Sequence, residues 1–164
     1  MKTIYIIGGT MGVGKTTVSQ NLKIKLRNSV LLDGDWCWDM HPFQVTEETK
    51  DMVMENICYI LNNFIKCSAF DHIIFCWVLH QQDIINHILS HLDTGNYRVV
   101  TISLTCSKSI LESRLRKDVA NGLRNADVIE RSVKRIPMYH ELDTIKIDTS
   151  EKTAEEVAEM ILKL

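Results

Sequence analysis

Gly8-Gly9-Thr10-Met11-Gly12-Val13-Gly14-Lys15-Thr16-Thr17 is the stretch that decides how this chain is read. Within it, Gly9 to Thr16 fits the spacing G-x-x-x-x-G-K-[ST]. The apolar run Ile4-Tyr5-Ile6-Ile7 lies just before it and has the length of a buried strand. Val18, Leu22 and Leu26 follow at helical spacing. Strand, glycine loop and helix therefore come in the order that a phosphate cradle needs. Glycines let consecutive backbone N–H groups turn inward, because no Cβ blocks the approach of the anion. The helix N-terminus adds the positive end of its dipole. Gly9, Gly12, Val13, Gly14, Lys15, Thr16 and Thr17 form the candidate nucleotide-binding set. Lys15 is placed to reach the β- and γ-phosphates of ATP, and the Thr16 hydroxyl to ligate Mg²⁺.

The 164 residues suit a single domain with a substantial core. A formal net charge of −2 gives no bulk attraction to nucleic acid or to an anionic membrane, and neither is expected as a partner. No apolar segment reaches spanning length, and the N-terminal apolar run is too short for a secretory signal. Cys37, Cys58, Cys67, Cys76 and Cys106 are odd in number and lack C-x-x-C spacing, so reduced thiols and a cytoplasmic location are expected. A monomer or small homo-oligomer is anticipated.

Downstream, strand and helix signals alternate. Val30-Leu31-Leu32 is a short strand ending in Asp33-Gly34-Asp35. An irregular stretch with two tryptophans leads to Thr46, a predicted N-cap, and to a helix carrying Val53, Ile57, Leu61 and Phe64. His72 to Leu79 predicts a strand covered on both faces. A helix over 81–92 and a strand over 97–104 follow. Ser109 with Glu112 reads as a capping box. Asn121-Gly122 breaks that helix, and a basic, mostly helical stretch runs to Tyr139. A last strand, Thr144 to Asp148, and a helix capped by Thr153 and Glu156 close the pattern. Five strands separated by helices imply an α/β fold: a five-stranded parallel sheet with helices on both faces. Ligands in such sheets bind beyond the carboxyl ends of the strands.

Three groups then fall along that edge. Asp33 and Asp35 point to the same side if the strand conformation continues through Gly34. One carboxylate would serve Mg²⁺ through water and the other would take a proton from an acceptor hydroxyl. Arg124 and Arg135 belong to a basic cluster beyond the Asn121-Gly122 break, as expected of a lid over transferring phosphate. His80 lies just past a strand end and is a candidate substrate contact, as are Trp36 and Trp38 directly after Asp35. His87 and His91 have helical spacing but no evident third ligand, so a solvated helix face is expected there.

Spread over the whole length, these motifs resemble the P-loop small-molecule kinases related to adenylate kinase. Shikimate, gluconate and adenylylsulfate kinases and chloramphenicol phosphotransferase belong to that group. Asp33-Gly34-Asp35 resembles the acidic motif after strand two in the first three of these. Leu111-x-x-Arg114-Leu115 resembles the helix whose arginine stacks on adenine. Arg124 and Arg135, with Tyr139 beyond, resemble the paired phosphate-contacting arginines of adenylate kinases. Ile147-Asp148-Thr149-Ser150 resembles the strand and loop that flank adenine, which makes Arg114, Thr149 and Ser150 candidate nucleotide contacts. The resemblance implies a three-layer P-loop NTPase fold, with an acceptor-binding segment near 36–66 and a lid near 117–137. It implies ATP and Mg²⁺ as cofactors and phosphoryl transfer to a small-molecule acceptor. The third strand ends without a Walker-B carboxylate, and the resemblance to shikimate kinase assigns its metal duty to Asp33. Lys15, Asp35, Arg124 and Arg135 are then the expected catalytic groups. A non-kinase nucleotide-binding ATPase or nucleotide-sensing switch is the alternative, predicting hydrolysis or binding without a phosphorylated acceptor.

Overall fold

Alternation along the first strand divides the core in two. Tyr5 and Ile7 join Ile74, Cys76, Ile102 and Leu104 in one apolar cluster, while Ile4 and Ile6 join Ile73, Phe75 and Leu32 in another. Side chains two apart share a face of a strand, so this is a sheet buried on both sides. The structure is a computed structural model and describes residues 2–164. Its strands are β1 (Thr3–Gly8), β2 (Ser29–Asp33), β3 (His72–Cys76), β4 (Arg98–Thr105) and β5 (Ile145–Asp148). All pair in parallel, in the order β2-β3-β1-β4-β5. The helices are α1 (Lys15–Lys25), α2 (Glu47–Lys66), α3 (Gln82–His91), α4 (Lys108–Ala120), α5 (Asp127–His140) and α6 (Ala154–Leu162).

One sheet face is covered by α1, α4 and α6 through Val18, Leu22, Leu111, Leu115, Val157 and Ile161. The other is covered by α2 and α3 through Val53, Ile57, Leu61, Ile85 and Ile88. Helix α5 belongs to both: Val128, near its start, is buried in the first cluster and Tyr139, near its end, in the second. It therefore passes across an end of the sheet rather than along a face. The chain leaves β1 for β2 on one side of the sheet and leaves β4 for β5 on the other, so the loop after β1 sits where the order reverses. That is the switch point at which open parallel sheets bind ligands.

Local signals set most boundaries. Thr46 caps α2 in a reciprocal box with Thr49, and Thr153 caps α6 in one with Glu156. Three expectations are corrected. Helix α4 begins earlier, with Ser107 rather than Ser109 as its cap, because the Ser107 hydroxyl accepts from Ile110 N at 3.4 Å. Strand β3 stops at Cys76 instead of Leu79: the backbone turns away through Leu79, whose φ is +36°. The third concerns Asp35. Strand β2 ends at Asp33, and a 3₁₀ turn, Gly34–Trp38, begins at once. Asp33 caps that turn by accepting from Asp35 N at 3.1 Å, so strand alternation does not relate the two carboxylates.

Candidate nucleotide and phosphoryl-transfer site

The loop after β1 closes over the start of α1. Gly12 has φ +84°, and a Cβ there would lie 2.6 Å from Leu115 Cδ2, so only glycine lets the loop rest on α4. Lys15 Nζ donates to Thr10 O at 3.0 Å, across the mouth of the cradle. Burial holds the Lys15 pKa below the ordinary lysine range; Asp35, Cys76 and Asp33 oppose that shift, and Arg124 adds to it. Thr16 and Thr17 are exposed at the first turn of the helix.

Opposite the loop lies the end of β2. Thr16 Oγ1 donates to Asp33 Oδ2 at 2.8 Å, and Asp33 is only 6% exposed. A hydroxyl and a carboxylate in contact at the base of a phosphate loop are hard oxygen donors, the type Mg²⁺ selects. Among the described residues no group of three His, Cys, Asp or Glu side chains could hold a metal by itself. Magnesium does not require one, since substrate phosphates and waters complete its shell. On β3, the residue in register with Asp33 is Cys76, a neutral thiol pushed up to about 12 by burial first and then by the Asp33 charge. The carboxylate thus sits on β2, with a thiol beside it on β3. Asp35 is exposed, in the first turn after β2. Its pKa is raised, chiefly by loss of solvent around the carboxylate and next by Asp33, while Lys15, a Trp77 hydrogen bond and Arg124 act in the lowering sense.

Trp77 is a contributor that sequence reasoning assigned wholly to the core. Its ring lies directly under Gly34, where an added Cβ would fall 2.5 Å from Cγ. That close approach explains the glycine between the two aspartates. Gly34→Ala is expected to destabilise the protein by about 1–3 kcal/mol, as overpacking does, and to displace Asp35 with it. Denaturant unfolding measures the first effect. An unchanged midpoint would mean that Trp77 moves aside freely.

Helix α5 is fastened over the site at two points. Thr10 Oγ1 in the phosphate loop donates to Ser132 O at 2.9 Å, and Tyr139 OH makes a short hydrogen bond to Val78 O just past β3. Val78 O also accepts from Gly9 N, so loop, strand end and helix meet at one carbonyl. Arg124 lies in the non-helical joint between α4 and α5, exposed and bonded to Asp118 at 3.2 Å. Its charge acts on both Lys15 and Asp35. Arg135 lies on α5 between Ser132 and Tyr139, and its charge acts on His80 and Tyr139. The charges of the two arginines therefore act on different groups.

On the other side of the loop is a cavity of about 160 Å³ lined by Val13, Thr17, Arg114, Thr149 and Lys152, among others. Arg114 is fixed there: it donates to Val13 O at 3.3 Å, to Thr149 Oγ1 at 3.1 Å and to Thr149 O at 2.8 Å. Ser150 does not line it; its hydroxyl accepts from Ser107 N and donates to Asp148. A larger hollow of about 420 Å³ between α4 and α5 shares no residue with the phosphate loop. Trp36 is 57% exposed beside Asp35, whereas Trp38 packs on Phe43 at 5.7 Å between ring centroids. His87 and His91 stack at 4.2 Å, with His91 Nδ1 against His87 O.

A phosphate loop at the switch point of this sheet, facing a strand-end carboxylate, makes the chain a P-loop nucleotide-binding domain. Residues 6–135 match the family model described as AAA domain, and the chain belongs to that family. A gluconokinase from Sinorhizobium meliloti 1021 superposes with a TM-score of 0.71 at 13% identity, covering 99% of this chain and 90% of the other. A tunicamycin resistance protein from Deinococcus radiodurans gives 0.68 at 18% identity, covering 99% and 95%. An APS kinase from Mycobacterium tuberculosis, solved with AMPPNP and APS, gives 0.65 at 11%, covering 99% and 96%. These likenesses establish the fold, which is that of the P-loop small-molecule kinases. No curated protein matches the sequence significantly. Among the described residues no helix is long and apolar enough to cross a membrane.

Proposed function

We propose that this protein is an ATP-dependent phosphotransferase acting on a small molecule that bears a hydroxyl group. The observation that carries the reading is the contact of Thr16 Oγ1 with Asp33 Oδ2, with Asp35 beside it under the influence of Lys15. The cavity at Arg114 and Thr149 suits the adenine, and the loop amides suit the phosphates. Thr16 and Asp33 would hold Mg²⁺, which neutralises charge on the phosphates when bound. Lys15 and Arg124 supply positive charge to the transferring group. Asp35 accepts the acceptor's proton as the hydroxyl oxygen bonds to the γ-phosphorus and the bond to the β,γ-bridging oxygen breaks. A raised carboxylate pKa favours that role, because the group is then a stronger base. The segment 36–66 would line the acceptor side. The lid reduces to the joint 121–126, since α5 is fastened to the loop and to Val78.

The test pairs binding with product. Thermal shift with AMPPNP and a panel of hydroxyl compounds should single out an acceptor, and a ligand at 100 times its Kd adds about 2.7 kcal/mol. Phosphorus NMR with ATP should then show a new phosphate ester. Hydrolysis of ATP with no ester from any hit would turn the reading to an ATPase or switch. Arg124→Ala should lower kcat by about 10²-fold with little change in Tm, as for loss of a charge donor to the transition state. An intact kcat would make Arg124 a surface ion-pair residue of Asp118.

A further inference from the structure

Strand pairing sets Cys76 of β3 beside Asp33 of β2. In parallel register the two side chains leave the same face of the sheet. Both are buried, Cys76 wholly and Asp33 to all but 6%. That face is the one covered by α1 through Val18 and Leu22. Ser19 follows Val18 on the same helix, whose first residues are Lys15 and Thr16. It is wholly buried, and its Oγ makes no hydrogen bond of ordinary geometry. The group it interacts with is the Cys76 thiol. Ser19, Cys76 and Asp33 thus form a polar row inside an apolar cluster, ending on the carboxylate that meets Thr16.

The direction of donation follows from what each group can give. An ionised carboxylate only accepts, so the thiol proton goes to Asp33. The sulfur lone pairs are then left for the Ser19 hydroxyl. Asp33 Oδ2 already accepts from Thr16 Oγ1 at 2.8 Å, and Oδ1 from Asp35 N at 3.1 Å. Those two donors belong to the loop helix and to the 3₁₀ turn. The thiol is the donor that comes from the sheet itself, on a strand paired on both sides.

Resting on the assignment of Asp33 to Mg²⁺ in the kinase reading above, we propose that Cys76 is a positioning residue for that carboxylate, with Ser19 holding the thiol in turn. A thiol stands at the end of β3, the strand that lacks a Walker-B carboxylate. It adds a donor and no charge, so the site keeps one buried carboxylate with its orientation fixed.

The test has two readouts on the full chain, and the first needs no nucleotide. The infrared S–H stretch of Cys76, assigned by its loss in Cys76→Ala, should move to higher frequency in Asp33→Asn, whose amide oxygen is a weaker acceptor than a carboxylate. The second readout is titration with AMPPNP, with and without Mg²⁺. Groups that orient a metal ligand are worth about 10–100-fold in metal affinity, and a thiol, as a weak donor, belongs at the low end. Cys76→Val fills the space without a donor. It should cut the Mg²⁺-dependent gain in AMPPNP affinity about ten-fold and leave affinity without Mg²⁺ within about two-fold. Cys76→Ala should do the same with a cavity in place of a bulkier group, so the pair separates loss of the donor from a change of volume. Cys76→Ser keeps a donor and should restore most of the gain. Thermal unfolding shows which variants are folded. A Cys76 band that ignores Asp33→Asn overturns the hydrogen bond. An unchanged Mg²⁺ gain in Cys76→Val and Cys76→Ala, or a loss in Cys76→Ser as large as theirs, makes Cys76 a packing residue. Each of these results leaves the kinase reading standing. A parent protein that gains nothing from Mg²⁺, or does not bind AMPPNP at all, defeats both.

Discussion

Lys15→Ala is expected to lower phosphoryl transfer by about 10³-fold or more and to leave the fold intact. Removing a single preorganised donor to developing negative charge costs about 10²–10³ in rate, and Lys15 brings a full charge to the site. The structural cost should be small. Lys15 Nζ donates to Thr10 O, but that carbonyl keeps a second, longer contact from Val13 N. The sign of the charge effect also favours the variant. Burial depresses the Lys15 pKa, so its charged form is less favourable in the fold than in the unfolded chain. At neutral pH, removing it relieves that cost. Thermal unfolding of Lys15→Ala should therefore show a midpoint equal to or above that of the parent, while titration with AMPPNP shows weakened binding. Near-normal turnover in this variant would mean that the glycine loop does not cradle the transferred phosphate.

Much of this arrangement was legible in the sequence because local chemistry dictates it. The loop, its flanking strand and its helix follow from glycine placement and from a change of apolar period. The capped starts of α2 and α6 follow from Thr46 and Thr153. What escaped had tertiary causes. Apolarity runs through Leu79, yet strand β3 ends at Cys76, because side-chain hydrophobicity does not report where a backbone turns. Trp77 looked like one more core residue. Its ring does fill core space under Gly34, but its hydrogen bond to Asp35 depends on where the 3₁₀ turn goes. The helix carrying Arg135 reads as part of a basic lid because its buried residues, Val128, Ser132 and Tyr139, do not serve a single core. They fasten it across the sheet end, a role with no periodic signature. The different surroundings of Arg124 and Arg135 come from that crossing. Sequence spacing alone treats them as a pair.

Asp35→Asn should separate transfer from nucleotide binding. The substitution keeps the shape and one acceptor oxygen of the side chain but removes its charge and most of its basicity. A positioned general base contributes about 10²–10⁴ in rate, so transfer to a hydroxyl acceptor should fall by about 10² or more. Affinity for AMPPNP, measured by isothermal titration, should stay within a few fold, because the proposed phosphate and metal contacts belong to the loop, Thr16 and Asp33. Background hydrolysis of ATP should hardly move. Two pH effects follow from the raised Asp35 pKa. In the parent, the acid limb of kcat/KM should lie above the ordinary aspartate range, and Asp35→Asn should abolish that limb. In stability, the folded state binds this proton more tightly than the unfolded chain does. Stability is therefore lost as pH rises through the interval between the unfolded and folded pKa values, and the cost persists above it. Asp35→Asn removes that cost, so its Tm at pH 7 should exceed the parent's, and the difference should vanish when both are measured below the unfolded pKa. A variant that loses transfer while gaining stability has a strained, functional carboxylate at position 35. Loss of nucleotide affinity instead would place Asp35 in the metal site and give the base role to Asp33. If neither rate nor affinity changed, the Asp33-Gly34-Asp35 stretch would be a turn, and the kinase reading would stand on the phosphate loop alone.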